Sequence, residues 1–571
     1  MAKYLLIDYY VDEPACFGVP PFVSPYVRYT CGALKNGSSD DVVYCAVDEL
    51  RLRDFKIESG EYNYLIIIAG STVPGKYLGG KIGSIAELVR LLQENSAYHG
   101  KILIGGPVKN SSPEILDKLR ELGAEVVLGD IEEAAFSLAN GQTVGQNFTA
   151  CSTYEKINSY ALSGAEIIRQ HFRFPFVIAE LETYRGCTRK LHCSFCSETF
   201  YGKPAFRPIS DILHEVKRLY ETGCVYFRLG RQADLYAYMA SMDDQKNGYP
   251  RPNVAVLEEL YKGIRSVAPN LKVLHLDNVN PGYLATYPVE AAEITKIIRD
   301  NNTELDTAAM GMESVDPAVI KKNFLKASPD EVFSAIEIVN KFGTGQGEFP
   351  ALSPGINILG GLPGETEKTH EMNYLFLKKV LDSGQMLRRI NIRQVRPIVN
   401  TQVVSILNKE KNKNYRALKN RFDYFKKKIR KDIDEKMLER VFPKGSVIKG
   451  VILEKRVVNG FLGRAIGSYP ITCHLWVSDE FMKREVATHD FLGPFVEVSA
   501  LVVGYKERAL YAIALEDNLD RLPENIWKKI LPRELAIKVW EKGLLSQAAF
   551  LPPFLKPALE RTFELPTKGH R

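Results

Sequence analysis

No stretch of the chain approaches the roughly 20 consecutive apolar residues that a membrane span requires. A transmembrane helix is therefore excluded for every segment. Cysteine is also sparse, at 9 in 571 residues. The odd, mostly scattered set argues against a disulfide framework and for a reducing, cytoplasmic setting. The opening MAKYLLIDYY lacks the charged, apolar and small-residue succession of a secretory leader, so it reads as a first β-strand. A formal charge of +6 is modest for this length, which leaves its distribution as the informative quantity.

Residues 1–150 alternate strand-length apolar runs (KYLLIDYY, DVVYCAVDEL, YNYLIIIAG, GKILIGGPV, AEVVLGD) with helical patterns such as SIAELVRLLQEN and SPEILDKLREL. Five buried strands with intervening helices predict an α/β, doubly wound parallel sheet. Its ligands would sit beyond the strand C-termini. The turns Gly70-Ser71 and Gly105-Gly106 fall there, either as tight strand-to-helix turns or as places where a backbone approaches a ligand. A linker is expected over 151–175. From 176 to 405 the alternation repeats six times, through FVIAELETY, CVYFRLG, KVLHLDNV, DTAAMGMES, SPGINILGG and RRINIRQVRP. Six βα units can curl into a partial barrel, with the site at the strand C-terminal face.

Just after the first of these strands, ETYRGCTRKLHCSFCSETFYG places Cys187, Cys193 and Cys196 within ten positions. Thiolates at this density hold a soft metal or an iron–sulfur cluster. A structural zinc would need a fourth ligand, for which His192 is the candidate. Three cysteines on a [4Fe–4S] cube would leave one iron open to a substrate or cofactor.

A three-cysteine loop after strand one of a six-unit βα barrel resembles the radical SAM superfamily. The first gap is five residues where that family commonly has three, and the second is its usual two. The resemblance implies a [4Fe–4S] cluster on Cys187, Cys193 and Cys196 that reductively cleaves S-adenosylmethionine, supplied with electrons by a donor such as ferredoxin or flavodoxin. It places Phe195 near the adenine and Glu313, in GMES, against S-adenosylmethionine. Gly230 in RLGRQADL, which stands where the family has Gly-Gly-Glu, and Gly360 and Gly361 in NILGGLPGET join the same site.

The first domain resembles the cobalamin-binding domain of radical SAM methyltransferases, with Gly70, Ser71, Gly105 and Gly106 facing the corrin. The Asp-x-His-x-x-Gly motif that supplies a lower histidine ligand is absent, so cobalamin without that ligand and a scaffold that has lost it both stay open. Methylthiotransferases have a similar layout with a second cluster in the first domain, for which Cys16, Cys31, Cys45 and Cys151 are available without that family's spacing.

Residues 409–440 carry 13 Lys/Arg against 6 Asp/Glu, more than the whole chain's positive excess. Lys426, Lys427, Lys428 and Lys431, interleaved with aromatic residues, suit RNA phosphates; a solvated connector spanning 406–442 is the alternative. Residues 443–517 read as a small β-barrel that loosely resembles the TRAM domain of tRNA-modifying enzymes, and 518–571 as helices with a weak helix-hairpin-helix pattern. The expected function is methyl transfer in tRNA or rRNA modification. The alternatives are methylthio transfer, radical chemistry on a protein or lipid, and a zinc-bearing RNA-binding protein.

Overall fold

Apolar runs of strand length build the first sheet. In the computed structural model, which describes residues 2–37, 41–58, 60–70, 77–145, 148–409, 415–486 and 493–564, five strands pair in parallel. Their spatial order is Asp41–Ala46, Lys3–Asp8, Tyr64–Ile68, Lys101–Gly105, Ala124–Val126. Leu6, Ile7, Ile66 and Ile67 are fully buried, as a sheet covered on both faces requires. The order reverses between Lys3–Asp8 and Tyr64–Ile68, which makes that gap the switch point. The run DVVYCAVDEL stops being a strand at Ala46: Val47–Leu52 is a helix whose Glu49 carboxylate accepts from the Ala46 N–H at 2.8 Å.

The expected linker folds instead. Tyr154–Gly164 is a helix packed on Pro25–Gly37. Glycine makes this possible, because a β-carbon on Gly32 or Gly164 would overlap the carbonyl of Tyr160 or Arg28 in the opposite helix.

The half-barrel follows chain order: Ile178–Glu182, Tyr226–Arg231, Val273–Leu276, then Asp306–Glu313, Leu352–Gly360 and Arg389–Gln394, all parallel. A bridge between Val279 and Met310 joins the two sets of three. Phe22–Val23 of the first domain adds beside Ile178–Glu182 in parallel and covers that edge.

Residues Val447–Val457, Gly460–Ala465, Thr472–Trp476, Glu497–Lys506 and Ala509–Ala514 close a five-stranded barrel. It docks beneath the half-barrel: Ile466 packs on Phe22, Ile178, Tyr226 and Val273, each the first residue of its strand. Ser468 and Tyr469 reach further in. The Ser468 N–H donates to His275 Nδ1 at 2.8 Å, and the Tyr469 hydroxyl donates to Asp277. The small barrel thus sits at the end opposite the cysteine loop. Helices Glu524–Ile530 and Arg533–Lys542 bury Trp527 against it; the link between them, Leu531-Pro532, lacks the glycine of a helix-hairpin-helix.

The basic connector is a helix over Tyr415–Ile429 that continues through a π turn at Arg430–Asp434 into Glu435–Val441. Phe422 and Phe425 are buried, with the Phe425 ring 5.8 Å from that of Tyr374 in helix Glu367–Asp382 and tilted to it. Among the described residues no helix is long and apolar enough to cross a membrane.

Candidate functional site

The cysteine loop is pinched at its base, where Tyr184–Arg185 pairs antiparallel with Ala205–Phe206. Within it the Cys196 N–H donates to the Cys193 carbonyl at 3.2 Å, and the Ser194 hydroxyl donates to Asn323 Oδ1 at 2.8 Å. Cys187, Cys193 and Cys196 are free thiols that line one cavity at the strand C-terminal end. Burial pushes the Cys187 thiol up to about 11 and the Cys196 thiol well above its ordinary value. The long first gap supplies Arg189, whose Nη1 donates to Cys193 Sγ at 3.2 Å while Nη2 donates to the Phe324 carbonyl at 3.2 Å.

His192 lines the same cavity. A zinc site needs its donors to converge on one point, and among the described residues no three His, Cys, Asp or Glu side chains do so. A cube makes no such demand, since each thiolate binds a different iron. The donor set fits a cluster.

Lys326 was not legible in advance. It lines the cavity with the three thiols, and its ammonium has no hydrogen bond or ion pair among the described residues. Its Nζ and Glu313 Oε1 lie 2.5 and 2.7 Å from where a β-carbon on Gly311 would stand, so that glycine makes room for both. A register shift between Gly311 and Glu313, with Glu313 left-handed at φ 61°, re-aims the end of the strand. Burial pushes the Glu313 carboxyl up to about 7, opposed by Lys326 and Arg393.

The remaining expected contacts spread out. Phe195 packs with Val319, Leu325 and Leu362 beside the loop. A β-carbon on Gly230 would overlap the Glu180 carboxylate, and one on Gly360 the Phe422 ring, so both glycines are accounted for by packing. Gly361 is left-handed at φ 85°, and its N–H donates to Glu365 Oε2 at 2.8 Å. At the first sheet, Gly70 lies against the Tyr10 carbonyl, Gly105 against Ile131, and Gly106, at φ 89°, against the Ala69 carbonyl. These three glycines are packed on the chain itself rather than opened as a cradle; Ser71 lies outside the described residues. Cys16, Cys31 and Cys45 are buried and Cys151 is exposed; they stand on a hairpin strand, a helix, a sheet strand and a loop, each beside different charged neighbours.

The two parallel sheets meet mouth to mouth. Arg185, at the base of the cysteine loop, donates to Asp130 at 2.8 Å, to Glu132 at 3.2 Å and to Glu182 at 2.7 Å. Asp130 and Glu132 follow the last strand of the first sheet. Arg231 binds Glu182 at 2.7 Å and approaches Glu13 at 3.6 Å, in a hairpin that begins just after Lys3–Asp8. Pro14 and Ala15, at the tip of that hairpin, line the cysteine cavity.

On the basic helix Lys428 donates to Asp432 at 2.7 Å, and Lys426 lies 5.7 Å from the Phe422 ring. Lys427 and Lys431 are exposed. These lysines belong to a different surface from the cysteine cavity.

The family model described as the radical SAM superfamily matches residues 181–377, from the strand that carries the cysteine loop into helix Glu367–Asp382. Residues 181–377 of the chain thus carry a radical SAM domain. A radical SAM domain implies a [4Fe–4S] cluster and S-adenosylmethionine as cofactors. The uncharacterised protein MJ0274 of Methanocaldococcus jannaschii is 38% identical over 537 residues, covering 90% of this chain and 94% of that one. The ribosomal protein uS12 methylthiotransferase RimO of Carboxydothermus hydrogenoformans is 27% identical over 201 residues, 34% of this chain and 39% of that one. Among solved structures, the radical S-adenosylmethionine methyltransferase TsrM of Kitasatospora setae, with cobalamin and a [4Fe–4S] cluster bound, matches 71% of this chain and 74% of its own at 13% identity and a TM-score of 0.47.

Proposed function

We propose that this radical SAM enzyme is a transferase that methylates RNA, tRNA or ribosomal RNA. The observation that carries the reading is the closure of the first sheet's C-terminal edge over the cysteine cavity through Asp130 and Arg185. A ligand held at that edge would lie next to the cluster, as transfer between two cofactors requires. The cluster, when bound and reduced by a donor such as ferredoxin or flavodoxin, supplies the electron that cleaves S-adenosylmethionine. The chain's own residues position: Arg189 and Lys326 bring positive charge to the thiolates, and the Pro14–Ala15 hairpin tip covers the cavity against water.

Cobalamin would supply the methyl-carrying chemistry in this reading. Its place would be the loops of the facing edge and not a cradle at Gly70, Gly105 and Gly106, which are packed on their own neighbours. RNA as substrate is supported by the charge of residues 409–440 and by the small barrel. The relatives named as uS12 and tRNA methylthiotransferases favour a modification enzyme. The placement of Cys16, Cys31, Cys45 and Cys151 on four different elements weighs against a second cluster, and hence against methylthio transfer.

The test is anaerobic reconstitution with S-adenosylmethionine, reductant and cobalamin, presented with total RNA from a deletion strain and read by nucleoside mass spectrometry. A nucleoside that gains one methyl group, and that is missing from the deletion strain, is the expected result. A sulfur-bearing product that forms without cobalamin would replace this reading with methylthio transfer. Turnover on protein but not RNA would move the substrate.

A further inference from the structure

The inner wall of the half-barrel is sealed along its first four strands and accessible along its last two. Every residue of Ile178–Glu182, Tyr226–Arg231, Val273–Leu276 and Asp306–Glu313 is buried. Along Arg389–Gln394, Ile390 and Ile392 are buried while Arg389, Asn391 and Arg393 between them are only partly so. Asn357 of the neighbouring strand is likewise half-buried and accepts from Asn391 Nδ2 at 3.1 Å.

Arginines gather at this accessible side without a matching set of carboxylates. The Arg389 guanidinium lies 3.7 Å over the ring of Tyr469, and its Nη1 is buried with no hydrogen-bond partner. Arg393 has Asp12 at 3.3 Å, but Asp12 also accepts from Tyr77. Arg508, in the turn between two strands of the small barrel, is exposed and has no ion-pair partner among the described residues. Of the other acids nearby, Asp277 is engaged by Arg228 and Tyr469, and Asp434, which also faces Arg508, is paired with Arg430. Burial, with Arg393 and Arg508 adding like charge, pushes the Arg389 guanidinium down to about 9. The basic helix joins the same strand, since Arg430 Nη1 donates to the Ile390 carbonyl at 2.8 Å.

A buried guanidinium N–H without an acceptor is costly, and like charges in a poorly hydrated site repel. An anion cancels both penalties. The planar fork of arginine suits the oxygens of a phosphate. The basic helix extends the positive charge outward from this strand, as a polyanion with many phosphates would use it.

We propose that Arg389, Arg393 and Arg508 form a phosphate cradle through which the backbone of an RNA substrate enters the lumen beneath the cysteine cavity. This rests on the RNA reading above and deepens it: the exposed Lys427 and Lys431 become peripheral, and the discriminating contacts lie on the last barrel strand and the small-barrel turn.

The test uses the full-length reconstituted enzyme, with total tRNA and adenosine 5′-monophosphate as separate probes, and the variants Arg389→Met, Arg508→Met and Lys427→Met/Lys431→Met. Arg508 is on the surface, so its variant guards against a folding defect at Arg389. Iron content and the thermal midpoint verify each protein. The cradle predicts that Arg389→Met and Arg508→Met each weaken tRNA at least about tenfold and flatten the salt dependence by roughly 0.7 log units per lost contact. The double lysine variant should change affinity less than about threefold. Full tRNA affinity in both arginine variants overturns the cradle and leaves the RNA reading standing. Binding of adenosine monophosphate that depends on Arg389, with no tRNA binding by the wild type, would keep the cradle and overturn the RNA reading. If neither probe distinguishes the arginine variants from wild type, the proposal is wrong.

Discussion

Arg185 donates to Asp130 across the gap between the two parallel sheets, at 2.8 Å, with both side chains nearly buried. The same guanidinium serves Glu132 and Glu182, so Arg185 is one of the residues that tie the first domain to the half-barrel, beside Arg231 with Glu13. Charge balance here belongs to the network. Removing the guanidinium leaves three buried carboxylates with one cation fewer, a loss of about 3–5 kcal/mol for a broken buried pair. Arg185→Met is therefore expected to lower the urea midpoint clearly, and Asp130→Asn to lower it less. Equal stability of Arg185→Met and wild type would place the docking of the two domains elsewhere.

The crossing of Pro25–Gly37 with Tyr154–Gly164 depends on two bare α-carbons. Gly32→Ala forces a methyl into the Tyr160 carbonyl, and overpacking of this kind costs typically 1–3 kcal/mol. Chemical denaturation should read that loss, while Gly123→Ala, whose β-carbon meets nothing within 4 Å, pays only for its left-handed φ of 89°.

His275 predicts how the small barrel responds to acid. It accepts from the Ser468 N–H and faces the Glu304 carbonyl at 3.0 Å, an arrangement that suits the neutral ring with its proton on Nε2. Burial, with Arg388 and Arg228 nearby, holds its pKa down to about 3, against an ordinary value of 6.5. The unfolded chain therefore takes up a proton that the folded chain refuses. The contribution of this residue is fully present above pH 6.5 and is lost as pH falls from there toward 3. His275→Gln, which can still accept from Ser468 and donate to Glu304, should be less sensitive than wild type over that window in thermal melts. Parallel pH profiles for the two proteins would contradict this.

Lys326 separates holding the cluster from binding S-adenosylmethionine. Its ammonium is not a metal ligand and, among the described residues, makes no hydrogen bond or ion pair, while Glu313 and the three thiols act on it electrostatically. Lys326→Met should keep its iron and bind the carboxylate-bearing S-adenosylmethionine roughly tenfold or more weakly, the loss of one charge-assisted hydrogen bond. Iron loss in this variant, with normal binding in what remains, would make the lysine a cluster determinant instead.

Much of this architecture is written in local pattern. The five strands of the first sheet announce themselves as short apolar runs, because a strand buried on both faces is largely apolar; the six half-barrel strands show through their alternation with helical patterns, although they carry Glu180, Arg228 and Arg393. The three cysteines are legible because their spacing is itself chemistry. What escaped has no local signature. The helix Tyr154–Gly164 looked like a linker because its defining contact, glycine against carbonyl, is made with residues more than a hundred positions away. Lys326 sits among ordinary helix-flanking residues and matters only because Gly311 lets it reach the thiols. Gly230 and Gly360 illustrate the converse: in sequence they resemble cofactor contacts, and in the structure their missing side chains admit Glu180 and Phe422.

The central claim is that Cys187, Cys193 and Cys196 together hold a cluster that cleaves S-adenosylmethionine. The most direct measurement is 5′-deoxyadenosine formation by anaerobically reconstituted, dithionite-reduced protein, with iron and sulfide measured on the same samples. Wild type and His192→Ala should both retain iron and form 5′-deoxyadenosine, whereas Cys187→Ala, Cys193→Ala and Cys196→Ala should each lose the cluster and the product. Undiminished 5′-deoxyadenosine from Cys193→Ala, or iron that disappears with His192 while surviving the loss of a cysteine, would contradict the account.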